Sequence, residues 1–225
     1  MRIWDIDPGF LNDMSLLGEH RELHGVYTII TQGKKGYSRH PETLRWVDHL
    51  PALALRHRLL VSEMDLRGFR HNSPLPDPDP HPAWPLFLEE PDRQFALLGR
   101  KYRNKKPGRI ALPGNCISLW AAHKYSVMAR DYNLYKETGR QVARKEIDFA
   151  VLAVDLVHCL HRRPPSSSRD NAIEHMWGYV KQHNPAGAAG LDNAGKYALI
   201  RRLALEQGVV YLRQSTALGE LRAWE

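Results

Sequence analysis

Basic residues in this 225-residue chain are grouped where a polyanion could be gripped. Seven cations fall between Arg93 and Arg109 with no acid among them, and Lys105, Lys106 and Arg109 close the run. Such a block favours phosphates, although charge alone describes a solvated loop equally well. The stretch Gly33-Lys34-Lys35-Gly36-Tyr37 sets two lysines between glycines, a loop that suits phosphate contact or an ordinary turn. His123, Lys124, Tyr125 and Arg130 fall on neighbouring turns of one expected helix. Arg169, Asn171 and His175 lie near the start of another, where free backbone amides attract phosphate. A denser set occupies the N-terminal third: Met1-Arg2, then His20-Arg21-Glu22 late in the first expected helix. Taken alone, an Arg-Glu pair on a helix is a solvated face. His20, His24, His40, His49, His57 and His71 are scattered over several elements, so surface and capping roles are expected of them and a metal site is not.

The elements that must carry these residues are helices, and no run of alternating strands stands out. Asp7-Pro8 is a helix start, since Asp caps free amides and Pro suits a first turn. Phe10, Leu11, Met14, Leu17 and Leu23 then recur at three- and four-residue spacing, predicting a helix to about Gly25. His40-Pro41 opens a second helix with Leu44 and Val47, and Pro51 a third, with Leu53, Leu60 and Met64 up to Gly68. Residues 73–91 contain seven prolines and read as an extended connector. A short helix follows from about Gln94 to Tyr102. Four more are expected at Ser118–Tyr135, Arg140–His161, Ser168–His183 and Asp192–Gln207, with a short one over Thr216–Ala223. The fold class is therefore mainly α, divided at the connector and basic segment into residues 1–115 and a helical bundle over residues 116–225.

Bulk properties narrow the setting. The chain is 43% apolar and 25% charged with a net charge of +7, an ordinary globular balance tilted toward acidic partners. No run approaches the roughly 18 apolar residues of a membrane span, and no membrane partner is expected. The opening residues MRIWDIDPGF carry acids where a signal peptide would have its apolar core, so no secretion is expected. Cys116 and Cys159 are too few for a disulfide framework and read as reduced, buried thiols of a cytoplasmic protein.

The segment MRIWDIDPGFLNDMSLLGEHREL resembles the opening of phage-type pyrimidine-dimer DNA glycosylases, also called endonuclease V. It is still more similar to their bacterial relatives, which share Lys-Gly-Tyr and His-Pro elements, here Lys35-Gly36-Tyr37 and His40-Pro41. The resemblance covers roughly residues 1–75 and implies a bacterial, nucleoid-associated repair enzyme acting on double-stranded DNA that carries damaged bases, without a cofactor or metal. In that family the N-terminal α-amine attacks the sugar C1′ of the damaged nucleotide and displaces the base. The resulting Schiff base permits β-elimination, which nicks the strand. By position the resemblance makes the Met1 amine the nucleophile and Glu22 the catalytic carboxylate, with Arg2 and Arg21 matching arginines that contact DNA or organise the site. Alpha-amines ordinarily titrate at about 7.7–8.0, so part of the population is unprotonated near neutral pH, unlike lysine at about 10.4. A facing carboxylate can stabilise an iminium and move a proton. The phage enzyme exposes a small threonine after loss of its initiator Met. Arg2 is too bulky for that removal, so a methionine amine is expected here.

From Leu119 onward the chain resembles a second family, the domain of unknown function found in YbgA-type bacterial proteins. His123-Lys124-Tyr125, Met128-Ala129, Tyr135, Gly139, the run Ser168–Ala172, His175 and Gly178-Tyr179 carry that resemblance. The family sometimes accompanies nucleic-acid modification domains, which implies a binding role for His123, Lys124 and Arg169. Two alternatives stand beside the repair enzyme: a non-catalytic nucleic-acid-binding protein whose C-terminal module is RNA-directed, and a lyase confined to abasic sites.

Overall fold

A computed structural model describes residues 1–184 and 186–225, and the described residues are mainly helical, with eleven α-helices and no strand. In chain order these are α1 (Asp13–Gln32), α2 (Pro41–Arg45), α3 (Leu50–Leu66), α4 (Pro91–Lys101), α5 (Cys116–Met128), α6 (Tyr132–Arg144), α7 (Phe149–Leu160), α8 (Ser166–Trp177), α9 (Asn193–Glu206), α10 (Val210–Arg213) and α11 (Ala217–Glu220). Among the described residues no helix is long and apolar enough to cross a membrane.

Local chemistry explains where these elements begin and end. The Asp7 carboxylate accepts the Gly9 amide at 2.7 Å, but only a 3-10 turn, Pro8–Phe10, follows. The first long helix starts afresh when the Asn12 side chain accepts the Ser15 amide at 2.9 Å. Met14, expected on the apolar stripe, is therefore 79% exposed. Helix α1 passes through Gly25, because Val26 is buried and Tyr27 and Ile30 pack on the core, and stops at Gly33 in the left-handed region (φ 61°). Two expected helices between Ser118 and His161 are three. Asp131 accepts the amides of Asn133 and Leu134, and Asp148 accepts that of Ala150, so each caps a new helix inside a stretch whose apolar spacing looked continuous. Helix α8 begins at Ser166, directly after Pro164-Pro165 and before the expected start at Ser168, and ends at Trp177; a separate 3-10 turn at Lys181–His183 follows it.

Helices α1 and α3 pack together, and the extended residues 1–7 lie along them. Ile3, Trp4, Ile6, Phe10 and Leu16 share one apolar cluster with Leu53 and Leu60 of α3 and with Leu152 and Leu156 of α7. A second cluster joins α5, α8, α9 and the last turns of the chain. The proline-rich stretch carries no helix up to Glu90 and packs along α7: the Trp84 ring stacks on His161 at 3.7 Å and Phe87 on His158 at 5.2 Å. The chain's end returns to α3, where the Ser62 hydroxyl donates to the Gly219 carbonyl at 2.5 Å. Residues 108–110 cross the 3-10 turn so closely that a Cβ on Gly108 would sit 2.6 Å from the Phe10 backbone, which explains glycine there. Cys159 is buried, Cys116 half-buried, and both are free thiols.

Candidate active site at the chain terminus

A chain terminus ordinarily frays, yet here residues 1–6 are held at almost every step. Glu22, in the middle of α1, accepts the Arg2 amide through Oε2 at 2.5 Å, and its Oε1 lies 4.0 Å from the Met1 nitrogen. One turn back on the same helix face, Glu19 accepts the Trp4 amide at 3.1 Å. Glu19 is itself gripped by Arg56 of α3 at 2.7 and 2.9 Å, and the same guanidinium donates to the Ile6 carbonyl at 2.8 Å. Gln94 of α4 accepts the Asp5 amide at 2.9 Å and donates back to the Asp5 carboxylate at 2.7 Å. Arg45 of α2 pairs with Asp5 and donates to the Leu86 carbonyl at 2.8 Å. Four helices and two buried guanidiniums thus fix an extended segment whose first atom is a primary amine facing a carboxylate.

The two members of the pair differ in exposure. The Met1 side chain is packed against the core, while the Glu22 side chain remains 42% exposed. Arg2 lies at the rim, its guanidinium 5.0 Å from the Trp4 ring centre and 3.6 Å from the Glu89 carboxylate. Arg21 is exposed beside Glu22, and Lys34 and Lys35 are exposed in the loop after α1. Tyr37 in that loop adopts a left-handed backbone (φ 55°), uncommon for a non-glycine residue, and leaves its ring 73% exposed.

Other expected contacts lie elsewhere. Lys105 and Lys106 are exposed at the start of α1, where Lys106 approaches Asp13 at 3.7 Å. Arg109 is not a surface cation. Its side chain is 6% exposed, pairs with the buried Glu63 at 2.7 Å and donates to the Arg213 and Ser215 carbonyls. Burial pushes the Glu63 carboxyl up, but Arg109 and Arg67 outweigh it and hold the group below the usual range. His123 is likewise interior, stacked on Phe10 at 5.5 Å with Nδ1 bonded to the Leu119 carbonyl at 2.8 Å. Burial lowers its pKa to about 4. Neither residue presents a donor to DNA, because both side chains are buried. Lys124 is half-buried with its ammonium 4.4 Å from the Tyr211 ring centre, and Arg169 is half-buried with Nε unpartnered.

The histidines also need correction. His40 fits its expected role, capping α2 by accepting the Glu42 amide at Nδ1, 3.1 Å away. His20, His24, His57 and His71 instead converge on one point. Burial first, then the neighbouring rings, push His57 down to about 3 and His20 to about 4. The signal in the sequence was the one-turn spacing of His20 and His24 within a single helix. The signal for Glu19 was its three-residue distance from Glu22, which puts both carboxylates on one helix face.

Residues 1–77 match a family described as pyrimidine dimer DNA glycosylase, and residues 124–188 match a family described as protein of unknown function (DUF1722). No curated protein and no solved structure matches the chain.

Proposed function

We propose that the chain is a DNA repair glycosylase with an associated abasic-site lyase, directed at pyrimidine dimers and using the Met1 α-amine as nucleophile. The family match over residues 1–77 supports the glycosylase class. The observation that carries the mechanism is the anchored terminus with its nitrogen 4.0 Å from Glu22. An extended segment fixed by Glu19, Glu22, Gln94, Arg45 and Arg56 has already lost the freedom that an attacking amine would otherwise have to give up.

In this reading the deprotonated amine attacks C1′ of the damaged nucleotide, the N–C bond forms and the glycosidic bond breaks. Glu22 stabilises the positive charge that develops at the sugar. Loss of the amine proton and opening of the sugar ring give an iminium. A base, for which Glu22 is the nearest group, then removes the C2′ proton, and the 3′ phosphate departs by β-elimination. Arg2 and Arg21 take the flanking phosphates, with Arg2 exchanging Glu89 for a phosphate oxygen as DNA arrives. Lys34 and Lys35 add sequence-independent contacts.

Borohydride trapping tests the proposal. Tag-free protein mixed with a duplex containing a single pyrimidine dimer should yield a reduced adduct that peptide mapping places on Met1. An adduct on Lys34 or Lys35 would remove the terminal amine from the mechanism. Trapping on abasic duplex but not on dimer duplex would make the chain an abasic-site lyase alone.

A further inference from the structure

On the face of α1 turned away from Glu22, four imidazoles meet. His20 and His24 lie one turn apart on α1, His57 comes from α3, and His71 from the segment after Gly68. At 100° per residue the His20–His24 stripe points directly opposite Glu22. Each histidine offers a ring nitrogen, and these four atoms lie within 4.8 Å of one another. The rings are in mutual contact, with centroids 4.7 Å apart for His20 and His24, 5.1 Å for His20 and His57, and 5.0 Å for His57 and His71.

Ring packing would account for the short centroid distances but not for the convergence of four nitrogens. Nor are those nitrogens absorbed by the fold. Nε2 of His20 and Nε2 of His57 are buried with no hydrogen-bond partner among the described residues. A buried polar atom left unpaired is destabilising, and two in one cluster ask for a common partner. The edge of the cluster is already braced: Nε2 of His71 donates to the Ser73 carbonyl at 3.0 Å, and Nε2 of His24 lies 3.4 Å from the Ser73 hydroxyl. Support of an imidazole by a backbone carbonyl is the usual second layer around a metal-bound histidine.

We infer that His20, His24, His57 and His71 bind one divalent transition-metal ion, zinc being the ion the arrangement suits. Imidazole is a preferred ligand of zinc, and four protein ligands with no open position make a structural rather than a catalytic centre. Tetrahedral zinc with bonds of about 2.0–2.1 Å sets its nitrogens about 3.3 Å apart, so modest ring rotations close the present spacing. The ion would tie α1, α3 and the segment after Gly68 together from behind. Its role is positioning: it holds the helix that presents Glu19 and Glu22 without touching DNA.

The test uses tag-free full-length protein, stripped with a chelator, and reads metal rather than DNA chemistry. Cobalt(II) added to it should bind one per chain with the strong visible bands of four-coordinate cobalt. Zinc should displace it and raise the melting temperature. His24→Asn and His71→Asn should each weaken cobalt binding by at least the roughly 10- to 100-fold that loss of a mere supporting partner costs. His49→Asn, whose ring bonds the Ala83 carbonyl outside the cluster, should leave binding unchanged. Circular dichroism establishes that the variants are folded. Absence of binding at micromolar cobalt, an octahedral spectrum, or undiminished affinity in the folded His24→Asn/His71→Asn double variant would each overturn the inference.

Discussion

Glu19 and Glu22 stand three residues apart on one helix and both accept an amide from the chain's first residues, yet they should fail in opposite ways. Glu22→Gln keeps an oxygen for the Arg2 amide and removes only the charge facing the Met1 nitrogen. Because that side chain is 42% exposed, water screens its ion pair, and such pairs are worth about 0–1 kcal/mol. The melting temperature should fall by no more than about 4 °C for a chain of this size. Turnover should fall roughly 100-fold or more, since a carboxylate that stabilises charge and moves a proton is gone. That is about 2.7 kcal/mol on the barrier. Glu19→Gln removes the partner of Arg56, whose guanidinium is 2% exposed and would be left charged and unpaired in the core. Breaking a buried pair in this way costs about 3–5 kcal/mol, or roughly 6–20 °C in melting temperature. Urea unfolding gives the first quantity, and single-turnover nicking of dimer-bearing and abasic duplexes gives the second. If Glu22→Gln nicks at the wild-type rate, or loses as much stability as Glu19→Gln, then Glu22 is a fastener of the terminus and not part of the chemistry.

Three further outcomes follow from the geometry. Neutralising Lys105 and Lys106 should leave stability unchanged and lower the salt slope of duplex binding by up to about 1.8, at about 0.9 per phosphate contact; Arg109→Gln should instead lower stability by about 1–3 kcal/mol, because Glu63 keeps Arg67 but loses its second guanidinium and the Arg213 and Ser215 carbonyls lose their donor, and a stable Arg109→Gln protein with a flattened slope would return Arg109 to the surface. Burial, aided by Glu63 and opposed by Arg109, raises the Asp7 carboxyl to about 7, so its contribution is fully present below the unfolded value of 3.8 and is lost as pH rises through about 7. Between those limits wild-type stability should decline relative to Asp7→Asn by up to about 1.4 kcal/mol per pH unit, and parallel pH curves for the two proteins would refute the shift. A chain ended after Asn115 loses the His123 ring stacked on Phe10, the Phe149 ring beside Phe95 and the carbonyls that hold Arg109; it should show no cooperative thermal transition, whereas a cooperative transition with retained nicking would make residues 1–115 an autonomous domain.

The helical class was legible in the sequence because apolar spacing and caps are local: Asp192 caps α9 by accepting the Gly195 amide at 2.8 Å, and the prolines of residues 73–90 keep helix out. The resemblance of residues 1–75 likewise singled out Met1, Arg2 and Glu22, which lie together because Glu22 accepts the Arg2 amide. Where apolar spacing ran on through Asp131 and Asp148, side-chain capping won over periodicity and cut two helices into three. Which cations face solvent could not be read from charge, since Lys106 and Arg109 look alike in the sequence but one is 85% exposed and the other locked to Glu63, a residue 46 positions away. The same holds for the histidines: one helix pairs His20 with His24, but only the packing of α1 on α3 and the turn beyond Gly68 brings His57 and His71 to them. Composition and local pattern determine which elements form; burial and pairing between residues far apart in the chain decide which side chains remain free to act.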